Sequence, residues 1–535
     1  MIRMLKKRIL EIWIVAILLP LLWAGNGSGV EITGIGEYGN DFNSAVSEIG
    51  GAPTVLQVDR PCMSDRNVFV PDTLKVVVLK NGFIDHGPNT LIFNGPLEAG
   101  EGRIFHGTGP VQINRNPIIR LEWFGVEPSK SAEENGEAFK KGMNSIPGPG
   151  GCKVTLNRKG NYHTAATLEL TVGNVDIEFG PGVAFTVHGR NGLYIHGKDA
   201  GNRIADISVK NFLMDGMGKT HHGILAMYSD RLILEGCRTW NNGADGIFIG
   251  GNGVNTSWDC KIVDCEVGES RAFGIIAVGT HNLEVTGCKV TGCRERRKCA
   301  SAIQMKNSVN FNVHHNTTDG GEHGINIRCS SKGSDTTGIC ADNVCRNPVK
   351  VGLYCHQDKG DGLTGELHDL IIANNRVYDA GWNLLSVSAA DGHWVSDIEV
   401  TGNTGHGSGS NGMSFSNVRR MKWSRNISRK ITGRGAFLDR VEDSTFSVGT
   451  IERTPQIAYP VLHIRRSRNN LLNELTLTQT TPSQPCVVEE EGSDRNVFSS
   501  IELSGCGNQE AAKLKGPNSR VMDGVPISSS GTAHP

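Results

Sequence analysis

The sequence predicts an all-β chain wound into a parallel solenoid, and three observations lead there. A Cys or Asn between apolar positions returns through the middle of the chain in LEGCRT, IVDCEV, VTGCKV, VHHNTT, CADNVC, IANNRV, VTGNTG and WSRNIS. It marks Cys237, Cys265, Cys288, Asn316, Asn343, Asn375, Asn403 and Asn426, at intervals of 28, 23, 28, 27, 32, 28 and 23 residues. A second motif keeps step, a small residue followed by alternating apolar positions: HGILA, DGIFIG, FGIIAV, SAIQMK, HGINIR, VGLYCH, NLLSVS, NGMSFS and GAFLDR. Each turn therefore carries at least two short strands at a fixed separation, too close for helical crossovers. The third observation is composition: 68 glycines in 535 residues, against a usual share of ~7%, and no long amphipathic helical pattern.

Stacking in parallel lets the backbone hydrogen bonds run between turns and gathers the Ile, Val and Leu of each strand into one continuous core. The recurring Asn belongs at a sharp bend, where an inward amide satisfies backbone groups of its own turn and meets the Asn above it. Cysteine is a small apolar substitute in that slot, so Cys237, Cys265 and Cys288 read as a packed thiol column. An exported chain with 14 cysteines also invites disulfides, for which Cys293 with Cys299 and Cys486 with Cys506 are the local candidates. No CxxC pair or Cys/His cluster at zinc spacing occurs, and no structural metal is assigned.

Residues 1–27 read as a secretory signal peptide, a basic MIRMLKKR followed by an apolar run and NGSG. This places the mature protein outside the cytoplasm, secreted, periplasmic or at the cell surface, with a membrane association only through that segment if it is uncleaved. Residues 31–120 form a β-rich N-terminal region with strand-like pieces such as TLKVVVLKNGFI. The coil itself spans 121–505, and 506–535 is a polar tail ending in ISSSGTAHP. A formal net charge of −1 argues for neither nucleic acid nor an anionic membrane as partner.

Within this frame WFGVEPSKSAEENGEAFKKGMNSIPGPGGCKVTLNRKGNYHTAATLEL, residues 123–170, resembles the N-terminal signature of right-handed parallel β-helix proteins of the pectate-lyase-like superfamily. The resemblance implies a right-handed coil, an apolar WFG strand, and a short capping helix over residues 137–145 that shields an open strand edge. Relatives often carry Asp-Asp-Thr before that helix; Glu133, Glu134 and Asn135 stand in its place.

If Ile325 and Ile327 of HGINIR point inward, alternation turns Asn326 and Arg328 outward, and the register fixes the outward residues of every turn. Early turns present Leu225, Phe248 and Ile276. Later ones present Gln304 and Lys306, Asn326 and Arg328, Tyr354 and His356, Ser386 and Ser388, Ser414 and Ser416, then Asp439. Such an exposed polar strip suits an acidic polysaccharide, whose sugars repeat at about the ~4.8 Å spacing of the turns. Removing the proton beside a uronate carboxylate needs a base, a cation for the carboxylate and an acid for the leaving oxygen. Lys306, its proton affinity lowered by Arg328, is the candidate base. Arg328 is the candidate carboxylate fork, and His356 or Tyr354 the candidate proton donor or relay. Gln304, Asn326, Ser386, Ser388, Ser414 and Asp439 are candidate substrate-binding residues.

A Lys and an Arg on successive turns also resemble the arrangement in β-helical alginate lyases and chondroitinase-B-like lyases. That resemblance implies Lys as base, Arg as its partner and, in many members, calcium on nearby carboxylates; Glu322, Asp358 and Asp361 are near in sequence. No cofactor is assigned from the residues themselves. A polygalacturonase-like hydrolase would need paired carboxylates, drawn from Asp358, Asp361, Asp391 and Asp439, and the GHG at 405–407 lies in a turn. A uronan C5-epimerase shares the same proton abstraction. A non-catalytic binding or adhesin coil keeps the strip and needs no base.

Overall fold

The computed structural model describes residues 30–522 except 148–150, 252–255, 294–300, 331–334, 359–364, 455–458, 481–483 and 507–510. The leader 1–27, Cys299, Asp361 and the end of the tail lie outside the described residues. The chain divides into two compact units, Met1–Gly125 with Asn144–Gly150, and Val126–Met143 with Gly151–Pro535.

In the first unit the β-rich region is itself a three-faced parallel coil. Glu31–Gly34, Thr54–Val58, Leu74–Val78 and Leu97–Ala99 pair in sequence. Pro61–Met63, Phe83–Gly87 and Phe105–Gly107 form a second face, and Val68–Val70, Leu91–Phe93 and Val111–Ile113 a third. Alternate residues such as Leu56, Val58, Val76 and Val78 are buried, as a period of two requires. Helix Phe42–Ile49 starts at Asp41, whose carboxylate accepts from Asn43 N and Ser44 N at 2.9 and 3.2 Å, the usual N-cap arrangement. WFG, expected as a strand, lies instead in a 3₁₀ turn, Leu121–Phe124, closed by Gly125 at φ +94°. Only glycine enters that conformation freely.

The second unit opens with helix Ala132–Asn144, which begins five residues before the expected 137–145. The reason is a capping box: Glu134 N donates to Ser131 Oγ (3.2 Å) while Ser131 N donates to Glu134 Oε2 (3.0 Å). Ala132 O then accepts from Ala165 N at 3.1 Å, tying the helix start to the first turn of this coil. From Cys152 onward each turn repeats three strand positions, and every strand pairs in parallel with the one a turn away, as Cys152–Leu156 does with Val175–Phe179 and then Ile204–Lys210. The ladder runs past residue 505, through Ala512–Lys513 and Arg520–Met522.

Inside, Ile224, Ile247, Ile275, Ile303, Ile325 and Leu353 stand in one registered column, each at most 2% exposed. Each such side chain stabilises the fold by ~1.5–3 kcal/mol through burial. The corner beside it carries the predicted amide ladder. Asn343 Nδ2 donates to Val313 O (2.9 Å) and to Asn375 Oδ1 (2.9 Å), and its N–H donates to that same Oδ1 (3.0 Å). The pattern repeats at Asn316, Asn375 and Asn403. The residue before each ladder position is left-handed: His315, Asp342, Asn374, Gly402 and Arg425 have φ between 53° and 66°. That single inversion makes the bend sharp enough to turn the amide inward.

Cys237, Cys265 and Cys288 occupy the same slot as free buried thiols, each near a carbonyl of the preceding turn at 3.4–3.6 Å. Cys486 and Cys506 form a disulfide with Cα atoms 5.4 Å apart. A second polar ladder, Ser444, Asn470 and Asn496, lines another corner. Its signal was present in sequence as EDSTF, SRNNL and DRNVF, spaced by 26.

Replacing Asn375 with Ala leaves Cys340 O and the N–H of Asn343 without their partners. The expected loss is about 2–4 kcal/mol, read as a lower urea midpoint.

Candidate functional site

All the sequence-predicted site residues stand on one wall of the second unit, carried by successive strands of one face. Strands Ser301–Lys306 and His323–Cys329 set Gln304 beside Asn326 and Lys306 beside Arg328. Val351–Gln357 adds Tyr354 and His356 to the same two columns. Leu385–Ala389 adds Ser386 and Ser388, Met413–Ser424 adds Ser414 and Ser416, and Ala436–Glu442 adds Phe437 and Asp439.

The expectation of an exposed strip is corrected for part of this wall: Gln304, Asn326, Ser386 and Asp439 are 2, 0, 8 and 8% exposed. Side chains one turn apart are close enough to cover each other. Asn326 Nδ2 donates to Gln304 Oε1 at 3.3 Å. The Tyr354 ring stacks on His356 at 4.3 Å and tilts against His323 at 4.8 Å.

Arg328 does not stand free. Its Nε and Nη2 both donate to Asp358 Oδ2, at 2.9 and 2.5 Å, and His356 Nε2 lies 3.1 Å from the other oxygen of the same carboxylate. Burial acts to raise the Asp358 carboxyl, but hydrogen bonds from His356 and Arg328, and their charges, outweigh it and hold it below the ordinary carboxylate value. From sequence, Asp358 is a candidate only as a metal ligand or hydrolytic acid. It sits one residue beyond the strand, where alternation no longer sets a side chain's direction.

Lys306, by contrast, has no ion-pair or hydrogen-bond partner for its amine among the described residues. It is half-buried, and that burial, with the adjacent Arg328 charge, pushes its proton affinity down against the opposing pull of Asp358.

On the opening edge of the same strands Glu322 is buried and pairs with the Lys350 ammonium. His323 beside it is 4% exposed. Burial, with the charges of His356 and Lys350, brings its pKa down to about 3, so it stays neutral. Farther along the coil Asp439 is engaged by Arg465 (2.6 Å) and by Arg466 (2.9 and 2.5 Å). Arg465 is in register with Asp439, so the wall continues one turn past its expected end. HIRR, in the alternating pattern already used for HGINIR, was the signal for it.

Of the carboxylates named for calcium, Asp361 lies outside the described residues, that of Asp358 is held by Arg328 and His356 and that of Glu322 by Lys350. Among the described residues no group of three or more His, Cys, Asp and Glu side chains is placed to hold a metal ion. Of the carboxylates named for hydrolysis, Asp361 lies outside the described residues. Asp358, Asp391 and Asp439 each sit in an ion pair, and His406 of GHG lies in Thr404–Ser408, a different strand series in register with Tyr378 and Arg429.

Neutral His323 makes the folded state bind fewer protons than the unfolded chain below the ordinary histidine pKa. Stability therefore falls as pH drops from that value toward about 3. Substituting His323 with Leu is expected to flatten this part of the urea-midpoint profile between neutrality and about pH 4.

Comparison with known proteins agrees with the fold. Residues 191–364 match the family model described as right handed beta helix region. A tailspike protein mutant of E. coli bacteriophage HK620, in complex with a pentasaccharide, aligns over 76% of this chain and 80% of its own at 12% identity, with a TM-score of 0.54. The family 28 exopolygalacturonase of Yersinia enterocolitica aligns over 79% and 80% at 11% identity and a TM-score of 0.47. A mannuronan C-5 epimerase A-module of Azotobacter vinelandii aligns over 75% and 97% at 15% identity and a TM-score of 0.39. No curated protein matches the chain significantly. With its ladders registered turn upon turn and its central residues matched, the chain is folded as a right-handed parallel β-helix.

Proposed function

We propose that this is an exported protein acting on an acidic, uronic-acid-containing polysaccharide by C5 proton abstraction and β-elimination, with Lys306 as base. The observation that carries the reading is the Lys306 amine: half-buried, without a partner among the described residues, lowered in proton affinity, and in register with a guanidinium. A neutral amine is the form that accepts a proton, and the surroundings of Lys306 favour it.

Arg328 uses two of the five N–H donors of a guanidinium on Asp358. Asp358 thereby fixes the plane of the fork, and the remaining donors are left for a uronate carboxylate. In the elimination the C5–H bond breaks, its proton passes to Lys306 Nζ, the C4–C5 double bond forms and the C4–O bond breaks. The leaving oxygen takes a proton from Tyr354 or His356, which are stacked on each other one turn beyond Arg328. Export rests on the basic and apolar leader at residues 1–27.

Purified protein offered alginate, polygalacturonate and glycosaminoglycans is expected to release an unsaturated product from at least one, seen by its ultraviolet absorbance. Lys306→Ala should lower that rate by roughly 10²–10⁴-fold with little change in thermal midpoint, and full turnover in this variant would remove the base. Reducing ends without absorbance would instead indicate hydrolysis, and binding without either product an adhesin.

The rate should rise with pH through the lowered proton affinity of Lys306. Arg328→Gln removes a charge that lowers it and releases Asp358, which raises it. The ascending limb should therefore move to higher pH in the pH–rate profile.

A further inference from the structure

Trp382 is the most exposed tryptophan among the described residues, at 54%, and its setting explains how so large an apolar ring is kept in the open. The chain positions Glu322, Lys350 and Trp382 come one after another on successive turns, at the edge where the strands of the candidate wall begin. This edge is opposite the one that carries Lys306 and Arg328. Trp382 N–H donates to Lys350 O at 2.8 Å. The Lys350 ammonium, anchored by the buried Glu322 carboxylate, lies 4.9 Å from the centre of the indole, a cation–π contact that covers one face. Four residues earlier on the same two turns, Arg346 covers Tyr378 in the same way at 4.9 Å.

The other side is different. On the following turn the neighbours of Trp382 are Gly409 and Ser410, whose N–H donates to Trp382 O at 2.9 Å. Gly409 is required there, because a Cβ would lie 2.2 Å from Gly381 O. One turn farther Gly433 N–H donates to Ser410 O at 2.8 Å. No described aromatic ring packs on the indole. The exposed Trp258 provides the contrast, since His281 from the following turn stacks on it at 4.6 Å.

We propose that Trp382, Gly409 and Ser410 form a slot in which one pyranose ring of a saccharide stacks on the open indole face. A pyranose offers a face of C–H groups to the π-system, and the lysine behind the indole holds the ring in one orientation without obstructing that face. The inference rests on the proposed saccharide substrate and adds a subsite to it at the far edge of the wall.

The test is calorimetric titration of hexameric alginate and polygalacturonate oligosaccharides into the Lys306→Ala protein, in which turnover does not interfere. Trp382→Ala should weaken binding roughly tenfold, and Trp382→Phe should keep most of it. Ser410→Tyr, which fills the slot and leaves the indole in place, should weaken it as Trp382→Ala does. Unchanged affinity in both Trp382→Ala and Ser410→Tyr overturns the slot, as does a parent that binds neither oligosaccharide. With Lys306 restored, binding that depends on Trp382 but yields no unsaturated product supports the slot and overturns the elimination. Product formed with the same KM with and without Trp382 overturns the slot alone.

Discussion

Parallel hydrogen bonding between one turn and the next is the constraint on which everything else in this molecule depends. Each strand has its backbone partners a turn before and a turn after it, so side chains separated by 22 to 32 residues of chain become immediate neighbours. A column of isoleucines on the inside and a column of polar groups on the outside are two faces of one register. Shifting that register by a single residue would turn Ile325 and Ile327 to the surface and drive Asn326 and Arg328 into the core.

The corners keep this register honest. A coil of short strands must reverse direction repeatedly without leaving buried amides unpaired. The asparagine ladder does so by giving each inward side chain one carbonyl of the turn before and one oxygen of the turn after. A left-handed residue before each asparagine supplies the bend. Where cysteine replaces asparagine, the slot keeps its shape but only a weak donor remains, so the early turns rely more on packing and the later ones more on hydrogen bonds.

How far this could be read in the sequence follows from how local each signal is. The pairing of Lys306 with Arg328 and of Arg328 with His356 was legible, because alternation with a period of two is stiff and the repeat marks the turns. The burial of Asn326 was not: it depends on the sizes of Gln304 and Tyr354, which come from other turns, and periodicity carries no size. Asp358 was missed as the partner of Arg328 for a different reason. It follows the strand, where direction is set by the turn geometry of residues with no repeat. The helix start was available in Ser131 and Glu134, a capping box that outweighed the placement taken from resemblance.

The disulfide between Cys486 and Cys506 acquires its meaning from the stack being nearly one-dimensional. Such an array melts from its termini, since an end turn has a neighbour on one side only. A covalent loop of 20 residues near the C-terminal end restricts what the released chain gains by coming loose, by ~3 kcal/mol in the chain-entropy view. Fraying from that side is thus checked before it can reach the turns that carry Arg465, Asp439 and the wall beyond them.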